Sequence, residues 1–303
     1  MLTIITPSIR LSSTLDCAAE LGESPAVDHA RGQVWWVDIT GRRLHRTEIE
    51  TGGARSWTMP EEPGFVVLDA AGWPVLGMET GLFAFEPLSG SLQKLLEQPR
   101  AGHRFNDATV DAGGILWVST MSLSADEGAG SIFRIAADLV LVPVVEGLTI
   151  PNGMAVDCGR RRLYFSDSHR DVRTIWTAGL CEDGEVGEPA VFADMKAMAG
   201  RPDGAALDAA GRYWIAAVDG AALEVFSPDG DHLFEVPLPV NCPTKPAFHG
   251  ERLDQLVVTS KRDTAHGGRL AFLSFEKDFV RGTHQARWSR TSPRGRIERF
   301  QTK

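Results

Sequence analysis

An apolar residue followed by Asp, then a Gly-containing turn, then a run of aromatic and β-branched residues recurs along the chain. The copies fall at Val27-Asp28, Leu68-Asp69, Val110-Asp111, Val156-Asp157 and Leu207-Asp208, with Phe248-His249 a degenerate sixth. They are separated by 41, 42, 46, 51 and 41 residues. Asp caps a tight turn with its own carboxylate and Gly accepts positive φ, so each copy predicts a hairpin. The runs that follow, such as Val34-Trp35-Trp36-Val37, Ile115-Leu116-Trp117-Val118, Leu163-Tyr164-Phe165 and Tyr213-Trp214-Ile215, suit strands buried between two sheets. Helical periodicity is weak. Short strands repeating every ~40–50 residues predict an all-β fold, a six-bladed β-propeller with four-stranded blades.

No interior linker divides the repeats, so residues 1–303 are expected to form one propeller domain. A strand around Arg10–Cys17 is expected to complete the last blade and close the ring. Residues 281–303 carry seven Arg or Lys against one Glu and are expected to be a basic, less ordered tail.

Composition narrows the function classes. Hydrophobic residues make up 43% and charged residues 23% of the 303, which excludes disorder and supports a full core. No run approaches the ~18 apolar residues of a membrane helix, and residues 1–16 lack the pattern of a signal peptide. A cytoplasmic protein without membrane contact is expected. The four cysteines stand far apart, as reduced thiols would, with no zinc-ribbon spacing. A net charge of −9 argues against a nucleic-acid partner and leaves room for a cation.

Four residues before each landmark the copies read Glu23, Gly64, Asn106, Asn152, Asp203 and Thr244. The first strand of every propeller blade lines the central channel, so residues at one repeat position converge on the axis. Glu23, Asn106, Asn152 and Asp203 should therefore face one another. Two carboxylates so placed repel unless a cation lies between them, and an all-oxygen set of Glu, Asn and Asp suits a hard divalent ion. Arg104 precedes Asn106 by two residues, which puts both on one face of their strand. A guanidinium there suits an oxygen-rich substrate. The eight histidines show no close ligand pair, and no G-x-S-x-G elbow or P-loop occurs.

The phrases Gly22-Glu23-Ser24-Pro25, Arg104-Phe105-Asn106-Asp107-Ala108, Pro151-Asn152-Gly153-Met154-Ala155 and Pro202-Asp203-Gly204 resemble, in order and spacing, the gluconolactonase/regucalcin (senescence marker protein) family over roughly residues 15–262. The resemblance implies one divalent metal ion (Ca, Zn, Mn or Mg) and hydrolysis of a sugar-acid lactone to its open-chain acid, with the lactone as the small-molecule partner. It implies metal ligands at Glu23, Asn152 and Asp203, substrate contacts at Arg104 and Asn106, and the catalytic carboxylate at Asp203. Where some members carry a substrate-binding Glu after Ser119-Thr120-Met121, this chain has Ser124, with Asp126 and Glu127 close by. The final-blade phrase survives only as Gly267-Gly268-Arg269-Leu270-Ala271-Phe272. Two alternatives stand beside lactone hydrolysis. One is an organophosphate or aryl-ester hydrolase on the same scaffold, and the other a cation-binding regulatory or interaction propeller without turnover.

Overall fold

The computed structural model describes residues 9–181 and 185–290. Among them there is no α-helix, and the strands form six four-stranded antiparallel sheets arranged as the blades of a propeller. The inner strands, one per blade from blade 1 to blade 6, are Gly22–Asp28, Phe65–Leu68, His103–Val110, Pro151–Asp157, Arg201–Leu207 and Pro243–His249. Each contacts the inner strand of the next blade, and the sixth contacts the first.

The aromatic runs form the second strands, and their alternation explains why they are apolar on both faces. Trp35 and Val37 pack into the core between blades 1 and 2, whereas Val34 and Trp36 pack into the core between blades 1 and 6. In blade 5, Trp214 and Ala216 face blade 6, while Tyr213, Ile215 and Ala217 face blade 4. A period-2 strand sandwiched between two sheets has no solvent side. The result is six buried clusters, one at each of six blade interfaces, which only a closed ring supplies.

The landmark aspartates cap the turns through their own carboxylates. Asp111 accepts from the amide of Ile115 (3.0 Å) and from Trp117 Nε1 (2.9 Å), and Asp208 accepts from the amide of Arg212 (2.9 Å) and from Trp214 Nε1 (3.0 Å). Each therefore closes a turn and orients a core indole.

Blade 6 is closed by the N-terminal strand Ile9–Ala19, which pairs antiparallel with Gly268–Phe275, with Arg10 opposite Ser274 and Thr14 opposite Ala271. The degenerate phrase Gly268 to Phe272 is thus a full strand of the last blade. Joining the first and last strands of the ring in one sheet leaves no seam at which the ring could open.

The segment expected to be a solvated tail behaves otherwise as far as Arg290; residues 291–303 lie outside the described residues. Residues 281–290 run across the face of the ring where the landmark turns lie. The amide of Ala209 donates to Arg281 O (2.7 Å), Gln285 bonds the backbone of Pro25 and Val27, and Arg287 pairs with Asp28 (3.0 Å). Trp288 is fully buried in the core between blades 2 and 3 and exchanges backbone bonds with Leu68 and Ala70. The physical reason is that the carboxylates and backbone groups of the landmark turns offer partners to a basic, polar strap, and the indole offers it an anchor. Above the strap the channel holds a cavity of about 430 Å³, lined by small apolar residues such as Ala108, Ala155, Ala205 and Ala247. No helix among the described residues is long and apolar enough to cross a membrane.

Candidate active site

Glu23, Asn106, Asn152 and Asp203 sit near the start of the inner strands of blades 1, 3, 4 and 5. In each of these strands the pairing register slips at the same point, between Glu23 and Ala26, Phe105 and Ala108, Asn152 and Ala155, and Pro202 and Ala205. Such a bulge breaks the alternation of side chains and re-aims one residue off the sheet. Ser24 and Gly153, inside two of the bulges, take positive φ (54° and 63°). The strand ends feeding the bulges are tied by aspartates of the second strands. Asp38 accepts from the amides of Glu20 and Leu21, and Asp167 from those of Thr149 and Ile150.

The four residues and Arg104 are 7 to 9% exposed, nearly buried yet not wholly shut off from solvent. Arg104 Nη1 donates to Asn106 Oδ1 (2.6 Å) and to the carbonyl of Phe105 (3.0 Å). Asn106 Nδ2 donates to Asn152 Oδ1 (3.1 Å) and to Pro151 O (3.0 Å). Asn152 Nδ2 donates to Ser168 Oγ (2.9 Å), which itself donates to the carbonyl of Pro202, beside Asp203. A single hydrogen-bond chain thus links blades 3, 4 and 5. Glu23 Oε2 accepts from the amide of Ser24 (2.7 Å), and among the described residues no donor reaches the Asp203 carboxylate.

Burial raises the pKa of Glu23 well above the usual carboxylate range, and the nearby charges of Asp203 and Asp107 add to the rise. Burial and the charge of Asp107 push Asp203 up to about 7, against the opposing pull of Arg201, Lys261 and Lys245. Burial lowers the pKa of Arg104, opposed by Glu62, Glu23, Glu79 and Asp203. The Arg104 Nε lies 3.7 Å from Glu62.

The two remaining copies of the repeat position do not join the four. A side chain at Gly64 would run into the carbonyl of Phe105, so blade 2 can bring no ligand there. Thr244 is buried and donates to Gly22 O (2.6 Å), fastening blade 6 to blade 1. Ser124 and Ser122 both donate to Asp126 Oδ2 (2.8 and 2.7 Å), which closes that loop on itself. His103 is held by the carbonyls of Ala101 and Ala129, each 3.2 Å away.

Three participants escape a reading by repeat position: Ser168, Glu62, and the Asp107–Lys245 pair. Asp107 Oδ1 and Lys245 Nζ lie 2.5 Å apart and both residues are buried. Asp107 was visible as the neighbour of Asn106. Lys245 stands at the same place in its repeat as Asp107, three residues before the landmark, where the other copies read Ser24, Phe65, Gly153 and Gly204 and give no hint of a charge.

No cluster of three or more His, Cys, Asp or Glu suited to a metal occurs among the described residues. The candidate set is instead two carboxylates and an amide. Its chemistry fits a hard divalent ion, since neither buried carboxylate forms an ion pair among the described residues. Asn152 Oδ1 also keeps a lone pair after accepting from Asn106.

Residues 21–262 match the family described as SMP-30/Gluconolactonase/LRE-like region. The chain belongs to this family. Among members of the SMP-30/gluconolactonase/LRE-like family, it is 32% identical to a 6-deoxy-6-sulfogluconolactonase of Pseudomonas putida, over 86% of this chain and 91% of that one. It is 31% identical to an L-arabinolactonase of Azospirillum brasilense, over 85% and 86%. Among solved structures, regucalcin of Agrobacterium tumefaciens, described as a calcium-binding protein, superposes with a TM-score of 0.81 at 28% identity, covering 89% of this chain and 94% of that one.

Proposed function

We propose that this chain is a carboxylic-ester hydrolase that opens a sugar-acid lactone to the open-chain acid, with one divalent ion held by Glu23, Asn152 and Asp203. The observation that carries the reading is the convergence of two buried carboxylates and an amide with Arg104 and Asn106 beside them. The lactonases among its relatives support the same reaction. A bound divalent ion would polarise the lactone carbonyl and lower the pKa of a coordinated water.

The chain's own residues do the rest. Arg104, fixed by Asn106 and the Phe105 carbonyl, presents its remaining N–H groups to the ring and hydroxyl oxygens of the sugar. Asn106 is pinned to Pro151 and Asn152, so the contact surface for substrate is set before binding. Asp203, which receives no hydrogen bond from described residues, has a free oxygen with which to take the proton of the attacking water as general base. Glu23 supplies charge and shape. Cleavage of the ring C–O bond then returns that proton from Asp203 to the departing oxygen, which leaves as the new hydroxyl of the open-chain acid.

The reading is tested by incubating the purified chain with a panel of hexono- and pentonolactones, with Ca²⁺, Zn²⁺, Mn²⁺ or Mg²⁺ or with chelator, and following acid release. Hydrolysis that chelator abolishes and one of the ions restores is the expected result. Ion binding without turnover on any lactone, or turnover of aryl esters or organophosphates alone, would replace the reading with one of its alternatives.

A further inference from the structure

Lys245 reaches across the channel beneath the site. It arises from the inner strand of blade 6, passes blade 5 and ends at Asp107 in blade 3. Its stem passes blade 5 at Gly204, where even a methyl group would sit 2.5 Å from Lys245 Cβ and Cγ. Glycine after Asp203 is therefore required by this close approach, since Gly204 is not among the residues with positive φ. At the far end Lys245 Nζ meets Asp107 Oδ1 at 2.5 Å and donates to the carbonyl of Ala108 (2.8 Å). Asp107 in turn accepts from the amide of Met154 (2.9 Å) and of Ala108 (2.8 Å), while its own amide donates to Ser119 Oγ (2.9 Å).

The network therefore grips the backbone next to three of the four site residues: Asp107 follows Asn106, Met154 lies two after Asn152, and Gly204 follows Asp203. Lys245 also lines the 430 Å³ cavity, whereas Glu23, Asn106, Asn152 and Asp203 do not. Lys245 is thus part of the roof of the cavity, and with Asp107 it underlies the site. A buried charge-assisted bond in which both carboxylate oxygens and two of the three ammonium donors are engaged is stiff, and it ties blades 3, 4, 5 and 6 together.

The geometry points to the Asp107–Lys245 ion pair as a positioning device for this site, one that sets the spacing of the oxygen ligands and seals the site from the channel below. The inference rests on the proposed metal-dependent lactonase reading. A pure brace for folding would act on stability alone, whereas a positioning pair acts on ion affinity and on turnover. Removing only Lys245 would also leave an extra negative charge beside the ion, so the informative variant keeps net charge constant.

The test is Mn²⁺ titration by calorimetry, with lactone kinetics at saturating Mn²⁺, on the parent and on Asp107→Asn/Lys245→Met. Outer partners of metal ligands are worth about 10–100-fold in affinity or activity, so the double variant should bind Mn²⁺ at least about tenfold more weakly. Its kcat should fall with KM held within about twofold, because Arg104 is untouched. A folded variant with the parent's Mn²⁺ affinity and kcat would overturn the inference, whatever its melting temperature. If that variant does not fold, Asp107→Asn/Lys245→Gln, which keeps polar groups at both ends but, with a side chain one bond shorter than lysine, no ion pair across the channel, is read in its place. It should lose at least about threefold in affinity, and parent-like values there would overturn the inference as well. Failure of the parent itself to bind Mn²⁺ or any other divalent ion would remove the metal-site reading and this inference together. Equal binding and equal kcat in parent and variant remove only the latter.

Discussion

At the scale of single residues, the candidate site separates by what each side chain has left to offer. Asn106 spends its oxygen on Arg104 and its amide on Asn152 and Pro151, so it positions its neighbours. Asp203 spends nothing on described donors. Asp203→Asn keeps the shape and one ligand oxygen but removes the base. Turnover should fall by about 10²–10⁴-fold, the usual contribution of a general base, with a smaller loss of ion affinity. Near-normal kcat at saturating ion would take the base role away from Asp203. Glu23→Gln should instead lose activity that excess ion partly restores. Arg104→Ala should lower kcat/KM while ion affinity stays close to the parent's, because the guanidinium bonds Asn106 and the Phe105 carbonyl. Loss of ion binding in that variant would place Arg104 in the metal site.

At the scale of elements, the repeat made the strands legible and the bulges did not show. The hairpin aspartates and the second-strand aromatics follow from composition and period, because a strand packed on both faces has to be apolar on both. The repeat also singles out Glu23, Asn106, Asn152 and Asp203. It equally singles out Gly64 and Thr244, which differ only because backbone crowding at Phe105 and a bond to Gly22 take them out. Lys245 and Asp107 share one repeat position, three residues before the landmark, but Ser24, Phe65, Gly153 and Gly204 fill it in the other blades, so the repeat alone shows no pairing there. Composition read the segment from Arg281 as solvated because it counts charges and cannot see the partners that folding brings. Trp288 is the element-scale test of that strap. It is buried among Phe65, Val75, Leu116 and Val118, and its removal leaves a cavity between blades 2 and 3. Trp288→Ala should cost about 3–5 kcal/mol in denaturant unfolding, as for a core aromatic. A loss below about 1 kcal/mol would mean that the strap lies on the surface without supporting it.

At the scale of the whole molecule, a closed ring brings carboxylates from blades 1 and 5 together whether or not a counter-ion is present. The inner strands cannot part to relieve the repulsion, because the six interfaces share one ring and the N-terminal strand seals blade 6. The strain therefore appears as a coupling of stability to pH. Glu23 and Asp203 have folded pKa values raised by burial and by each other or Asp107, Asp203 from 3.8 to about 7. Where both states are protonated, below the ordinary carboxylate range, their contribution to stability is fully present. As the pH rises the unfolded chain ionises freely while the folded chain resists, and the contribution is lost through the folded pKa near 7. The ion-free protein should thus melt at a higher temperature at about pH 5 than at about pH 8 if this pair dominates. A divalent ion held between the carboxylates displaces their protons and stabilises in proportion to its affinity, which rises as the protons leave. The gap in melting temperature between ion-loaded and chelated protein should widen steadily over that range. Binding near neutral pH should also release protons, seen as a calorimetric heat that changes with the ionisation enthalpy of the buffer. A gap independent of pH, with no proton release, would mean that the two carboxylates are not what the ion binds.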